Sequence, residues 1–364
     1  MSLVPRHIKL LAPYIPGRTI ESVKKEYGLN KIIKLASNEN PYGPSKKSIQ
    51  EINNYLIKIH RYPDSSGYQL RKKLSEKFNL KLDNVILGSG SEGVMSSIMR
   101  TFLRSDDEII GTENSFIGFR VLANASGKKV NWVSMKNDRY NLDAIVEQVN
   151  QCTKIIYLAN PDNPMGTYFT INEFDQFMSS IPNRVLVILD EAYFEYAQMI
   201  NDYPDSMSYR YDNVITLRTF SKVYGLAGLR VGYGFAHQNL ISNLMKVKLP
   251  FEPSVLAQCA AIAALDDQEH VDNSIYKNKL GMKFILDNLD ELDINFIKSV
   301  TNFVTIKFNS QSSSKKLSKY LLKEGIIVRE LNSFGLPGYI RITIGNNEEN
   351  IYLVEKLRTY FKRN

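Results

Sequence analysis

The chain has little of what several protein classes require. Its 364 residues hold only two cysteines, Cys152 and Cys259, with no metal-ligand spacing. Both read as reduced thiols, and neither a disulfide framework nor a metal site is expected. No apolar run reaches membrane-spanning length, and the first nine residues carry Pro5, Arg6, His7 and Lys9 without the apolar stretch of a secretory leader. No membrane partner and a cytoplasmic location are therefore expected. The net charge of +8 includes no long Lys/Arg run, and helix-turn-helix, RNA-recognition and zinc patterns are missing. That charge suits solubility and anionic small molecules, with no nucleic-acid partner expected. The four histidines (His7, His60, His237, His270) are scattered among polar neighbours and read as surface residues.

What is present is a globular chain that is 43% hydrophobic and too long for one simple core. The fold class expected is α/β: a large domain with a mostly parallel seven-stranded sheet, plus a smaller α/β domain. Residues 1–30, with Pro13, Pro16 and Gly17, read as an extended N-terminal arm. Residues 31–252 read as the large domain. Its short apolar runs at Val85–Leu87, Glu108–Gly111, Val130–Val133, Lys154–Ala159, Val185–Leu189, Val214–Leu217 and Val231–Phe235 are strand candidates separated by helical periodicity. Residues 253–364 read as the small domain: an alanine-rich helix (Val255–Leu265), a long amphipathic segment (Val271–Leu289), three strands and a final helix. Ser310-Gln311-Ser312-Ser313-Ser314 reads as a low-complexity loop.

Candidate chemistry gathers after the strands, where a parallel sheet presents its loops. Lys222, in Thr219-Phe220-Ser221-Lys222, follows an apolar strand, and Arg230 lies eight residues on. A lysine so close to a core is costly unless it is neutralised or bonded, and a Schiff base with an aldehyde cofactor is one solution; a solvated loop lysine is the plain alternative. Gly88-Ser89-Gly90-Ser91-Glu92-Gly93 opens a helix and either binds phosphate or merely turns the chain. Asn163, in Asn160-Pro161-Asp162-Asn163-Pro164-Met165-Gly166, is a donor on a rigid loop or a turn former. Asp190 ends a strand, where it either faces a pyridine nitrogen or caps the next turn, and Tyr193 follows three residues on. Phe116 is a ring platform or a core residue. Arg341, inside a strand, and Arg329, at a strand end, suit an anion, with surface exposure the alternative for Arg329.

Taken in order, these segments resemble the fold-type-I pyridoxal-phosphate-dependent aminotransferases, and within them most closely the histidinol-phosphate aminotransferases. The likeness also includes Pro13-Tyr14, Leu35-Ala36-Ser37-Asn38-Glu39-Asn40-Pro41, Arg61-Tyr62-Pro63, Gly228-Leu229-Arg230-Val231-Gly232-Tyr233 and Arg341-Ile342-Thr343-Ile344-Gly345. It implies pyridoxal 5'-phosphate as cofactor and Lys222, Asp190 and Tyr193 as catalytic residues. It implies that Gly90, Ser91, Glu92, Ser221 and Arg230 gather at the cofactor phosphate, that Asn163 and Tyr193 bond the phenolic oxygen, and that Phe116 stacks on the ring. Tyr62 is expected to reach in from a second subunit, which makes the protein a homodimer with shared active sites. Tyr14, Asn38, Arg329 and Arg341 are expected at the substrate. The substrates implied are a phosphorylated amino alcohol, histidinol phosphate, with the 2-oxoglutarate/glutamate pair. Aromatic amino-acid transamination and threonine-phosphate decarboxylation are the alternatives within the same fold. Met165 stands where this family usually has threonine, and Phe116 where it more often has tyrosine.

Overall fold

The computed structural model describes residues 3–13, 17–207 and 211–363. After a short strand β1 (Ile33–Lys34) come β2 (Val85–Gly88), β3 (Glu108–Thr112), β4 (Lys129–Val133), β5 (Thr153–Ala159), β6 (Leu186–Asp190), β7 (Val214–Thr219) and β8 (Gly232–Phe235). These seven form one sheet in the order β2-β8-β7-β6-β5-β3-β4. Neighbours from β4 through β7 are parallel, and β8 runs antiparallel to both β7 and β2. The reversal matters for the site. Because β8 runs the other way, its beginning lies beside the ends of β2 and β7, with Gly232 opposite Gly88 and Thr219. Arg230, two residues before β8, is thereby delivered to the same edge as the loops that follow the parallel strands.

Both faces of this sheet are covered, as uninterrupted apolar strands require. Ile188, Ile215 and Leu217 pack under the helix Gly90–Phe102 through Val94, Met95 and Ile98. Leu189, Val187 and Val214 pack on the other face against Phe174 and Phe177 of the helix Ile171–Ser180. Thr170 starts that helix with a reciprocal cap: its hydroxyl accepts from the Glu173 N–H, and Glu173 accepts from the Thr170 N–H.

The second sheet is antiparallel, in the order β12-β13-β10-β9, from β9 (Phe296–Ile297), β10 (Phe303–Lys307), β12 (Arg329–Glu330) and β13 (Tyr339–Thr343), while β11 (Ile326–Ile327) pairs with β1. Its core joins Val304, Ile306, Ile340 and Ile342 to Leu317 and Leu321 of the helix Gln311–Lys323 and to Leu353 and Leu357 of the helix Asn347–Arg363. The serine-rich stretch read as a loop is the start of that first helix. The Ser310 hydroxyl accepts from the Ser313 N–H, so the serines cap a helix rather than interrupt it.

The alanine-rich helix Val255–Leu265 packs through Ala257, Ala260, Ala261 and Ala264 in one core with Leu70, Leu74, Phe220 and Tyr233. The next helix, Gln268–Glu291, contributes Val271 to that core and Met282, Ile285 and Leu289 to the second. His270 departs from the surface reading, because its Nε2 is buried with no hydrogen-bond partner.

Candidate active site

The ends of β2, β3, β5, β6 and β7 and the start of β8 converge on one cleft of about 210 Å³. After β7 the chain turns at Ser221 and Lys222, anchored by Phe220 and Val223, both fully buried. The Thr219 hydroxyl organises the turn: it accepts from the Ser221 N–H at 3.1 Å and donates to Ser221 Oγ at 3.0 Å. Lys222, Ser221, Asp190, Tyr193 and Asn163 line the cleft, as do Phe116, Ser91, Glu92 and Arg230. Lys222 Nζ lies 5.4 Å from the centre of the Tyr193 ring. Phe116 also packs against the core beneath the sheet, so it belongs to both of its candidate surroundings.

Asp190 sits at the end of β6 and is 4% exposed. Oδ1 accepts from the Ala192 N–H at 3.1 Å, and Oδ2 accepts from the Tyr157 hydroxyl at 2.8 Å. Burial pushes its carboxyl up to about 6, against the opposing pull of the Tyr157 and Ala192 bonds. The turn-capping role and the cleft-facing role thus coexist in one side chain.

The glycine-rich turn and the arginine form a unit at the other end of the cleft. The Gly90 N–H donates to the Arg230 carbonyl at 3.0 Å, and a Cβ on Gly90 would lie 2.7 Å from Arg230 Nη2. Gly90 therefore abuts the guanidinium and shapes its seat. Arg230 Nη1 reaches Ser221 Oγ at 3.4 Å, and Nη2 reaches Glu92 Oε2 at 3.1 Å. Both members of that ion pair are about half exposed, so it contributes little to stability.

Asn38 and Arg341 tie the second sheet to the cleft. Asn38 has φ of 56°, and its Nδ2 donates to the Tyr193 hydroxyl at 2.8 Å. Its N–H donates to Thr343 Oγ1 at 2.9 Å, and that hydroxyl donates back to Asn38 Oδ1 at 3.1 Å. Arg341 donates from Nη1 to Asn163 Oδ1 and from Nη2 to the Ala36 carbonyl at 2.9 Å. Across β12–β13, Arg329 stands directly opposite Arg341, and the two guanidiniums lie at equal distance, 5.9 Å, from the Phe334 ring. Arg329 is 9% exposed, a buried position rather than the surface one held open above.

Among the expected residues that the structure describes, Asn38, Gly90, Arg329 and Arg341 stand outside the lining of this cleft, and Tyr62 is not brought to it. Tyr62 is 79% exposed and stacks on Phe251, with centroids 4.2 Å apart. Tyr14 lies outside the described residues. Two residues that the motifs did not flag stand close by. Tyr157 lines the cleft from β5, and alternation along that strand puts it on the face of Ala159, a signal that was available. Asp162, fully buried, accepts from Ser115 Oγ at 2.6 Å and the Met165 N–H at 3.1 Å, and burial pushes its carboxyl up to about 7. A cavity of similar size, about 220 Å³, opens near Phe174, Leu189 and Phe235. No lysine lines it, so the convergent chemistry lies in the first cleft.

A cleft that holds a lysine, a buried acid and an arginine at the ends of neighbouring strands belongs to a chain whose residues 30–357 match the family described as aminotransferase class I and II. The chain belongs to that family. It is 38% identical over 358 residues to histidinol-phosphate aminotransferase 2 of Carboxydothermus hydrogenoformans, covering 98% of each protein. It is 40% identical over 350 residues to the histidinol-phosphate aminotransferase of Bacillus subtilis strain 168, covering 95% of this chain and 96% of that one. Among solved structures it resembles histidinol-phosphate aminotransferase from Sinorhizobium meliloti in complex with pyridoxal-5'-phosphate. That match has a TM-score of 0.91 and 26% identity, and it covers 100% of this chain and 98% of that one. The chain is an aminotransferase. No helix among the described residues is long and apolar enough to cross a membrane.

Proposed function

We propose that the enzyme transfers the amino group of L-histidinol phosphate to 2-oxoglutarate, giving imidazole acetol phosphate and glutamate in histidine biosynthesis, with pyridoxal phosphate as cofactor. The observation that carries this reading is the convergence of Lys222, Asp190 and Arg230 on one cleft. The donor set fits the cofactor. Asp190 bonds a hydroxyl and an amide but no cation, and a carboxylate this buried is stabilised by a positive partner, which a protonated pyridine nitrogen supplies. When bound, the cofactor supplies an aldehyde for amino groups and a ring that withdraws electrons from the substrate carbon.

The residues divide the remaining work. Lys222 would hold the cofactor through its aldehyde, and its amine, freed when the substrate's amino group takes its place there, would carry the proton that leaves the amine-bearing carbon of the substrate. Asp190 keeps the ring nitrogen protonated. Tyr193, held by Asn38, and the amide of Asn163, held by Arg341, orient the phenolic oxygen. Phe116 covers the ring face. Ser91, Ser221 and Arg230 take the phosphate on the seat that Gly90 shapes, and the incoming anion competes with Glu92 for the guanidinium. Arg329 and Arg341, with Tyr14, receive the far anion of the substrate; guanidinium forks accept phosphate and carboxylate alike, which suits two different substrates in one site.

The reading includes a cytoplasmic homodimer in which Tyr62 of the partner subunit completes the phosphate site. The exposed, stacked pair of Tyr62 and Phe251 supports it. We place the passage from large to small domain within the helix Gln268–Glu291, since that helix joins both cores.

The test is purified protein assayed side by side with histidinol phosphate, phenylalanine and phosphothreonine, each with 2-oxoglutarate. We expect histidinol phosphate to give the highest kcat/KM, with glutamate formed in step. A higher value for phenylalanine, or carbon dioxide release without glutamate, would overturn the substrate assignment.

A further inference from the structure

We infer that Tyr157 is a positioning residue for Asp190: its hydroxyl fixes the carboxylate in the orientation that meets the ring of the cofactor. This deepens the functional reading above and rests on it. Tyr157 is 1% exposed and lies flat on Phe119, with centroids 4.0 Å apart and planes 9° apart. The stack leaves the phenol little freedom, and its hydroxyl donates to Asp190 Oδ2 at 2.8 Å. With Ala192 N–H on Oδ1, each oxygen of Asp190 has one protein donor, so the plane of the carboxylate is set from two sides. Burial holds the phenol well above its usual value, so the hydroxyl remains a donor at any working pH.

The neighbouring groups leave this task to Tyr157. The charges facing Asp190 are Lys222, which favours its ionised form, and Glu92, which opposes it. The groups facing Tyr157 beyond Asp190 are Tyr140 and Asp162. Tyr140 is committed elsewhere. Its oxygen accepts from the Ala159 N–H at 2.9 Å and meets Ser115 Oγ at 2.7 Å. The one proton of Ser115 goes to Asp162, so Tyr140 must donate to Ser115. Both hydrogens in that chain run towards Asp162 and none towards Asp190.

The test is Tyr157→Phe, which keeps the ring and its stack and removes only the hydroxyl. Three readouts are taken on the full-length protein. In the apo form, ¹³C NMR of labelled aspartate follows the Asp190 carboxyl; its midpoint should rise by roughly half a unit or more when the donor is lost. In the cofactor-loaded form, the pH midpoint of the visible absorption band should move from its wild-type position. In turnover, kcat should fall about tenfold with KM for histidinol phosphate within about twofold, because the hydroxyl touches no substrate. In an Asp190→Asn background the same substitution should change kcat little, since the group being positioned is gone. Phe119→Leu controls for packing: it removes the stack and keeps the hydroxyl. The inference is overturned if Tyr157→Phe matches wild type in midpoint, band and kcat, or if its effect persists undiminished beside Asp190→Asn. A wild-type protein with no cofactor band and no turnover would instead overturn the functional reading itself.

Discussion

Asp190 and Glu191 are adjacent in the chain and face opposite sides of the sheet. Asp190 points into the cleft, where its partners are a phenol and an amide. Glu191 points away, to Arg218, whose Nη2 lies 2.7 Å from Glu191 Oε2 with both side chains 1% exposed. Arg218 also reaches Asp205 at 3.2 Å and lies 3.4 Å over the Phe194 ring. Burial alone would lower the guanidinium, but Glu191, Glu195 and Asp205 hold it above its usual value. One buried acid has a cation bonded to it, and the other, among the described residues, bonds only a phenol and an amide. The difference separates a group that holds the fold from a group available to a ligand, although both acids are pushed up to about 6 by burial. A raised carboxyl therefore did not discriminate between them; the presence of a bonded cation did.

Breaking the built-in pair should have the largest effect. Arg218→Met leaves Glu191 buried without its counter-charge and should cost about 3–5 kcal/mol of stability in urea unfolding, while kcat per folded molecule stays near wild type. Asp190→Asn should do the reverse. Turnover should fall at least about a hundredfold, equivalent to about 2.7 kcal/mol. Thermal unfolding of the apo protein at pH 8 should show no loss, since the amide spares the site a buried charge. A variant at 190 that unfolds the protein, or one at 218 that abolishes turnover in folded molecules, would erase the distinction.

The smallest effect sharpens the comparison through pH. Glu195, 5% exposed, lies near Arg218, and burial pushes its carboxyl up to about 7 from an ordinary 4.5. Between those values the folded chain keeps a proton that the unfolded chain has released. Stability from this group is therefore present at low pH, falls as pH rises from about 4.5 to about 7, and is level beyond. Glu195→Gln should leave stability at pH 4.5 nearly unchanged and raise it by roughly 2–3 kcal/mol at pH 8, because the value near 7 already includes the attraction to Arg218. Equal effects at the two values would show that Glu195 does not titrate there.

Much of the fold was legible because strands buried on both faces are short apolar runs, and all seven of the large sheet are found within a few residues of where those runs lie. The helix Gln311–Lys323 was not, because serine at a helix start has the composition of a loop until its capping bond is seen. The cut at residue 252 followed a change in texture, yet the alanine-rich helix beyond it packs into the first core. Small residues give no hint of which partner they will approach. The cleft residues were legible because strand ends gather them. The bonds that orient them were not: Asn38 reaches Tyr193 across 155 positions and Arg341 reaches Asn163 across 178. Spacing along a chain carries no record of contacts made by folding back so far.

The missing side chain at position 90 has a consequence at position 230. The space that a methyl group would need there is already filled by the guanidinium, and the backbone of the glycine is bonded to the arginine's own carbonyl. A change to alanine at 90, where φ is 74°, would therefore strain the turn and push the guanidinium from its seat without altering any charged residue. Two positions 140 apart in numbering thus make a single mechanical part, and an engineer who moves one must refit the other.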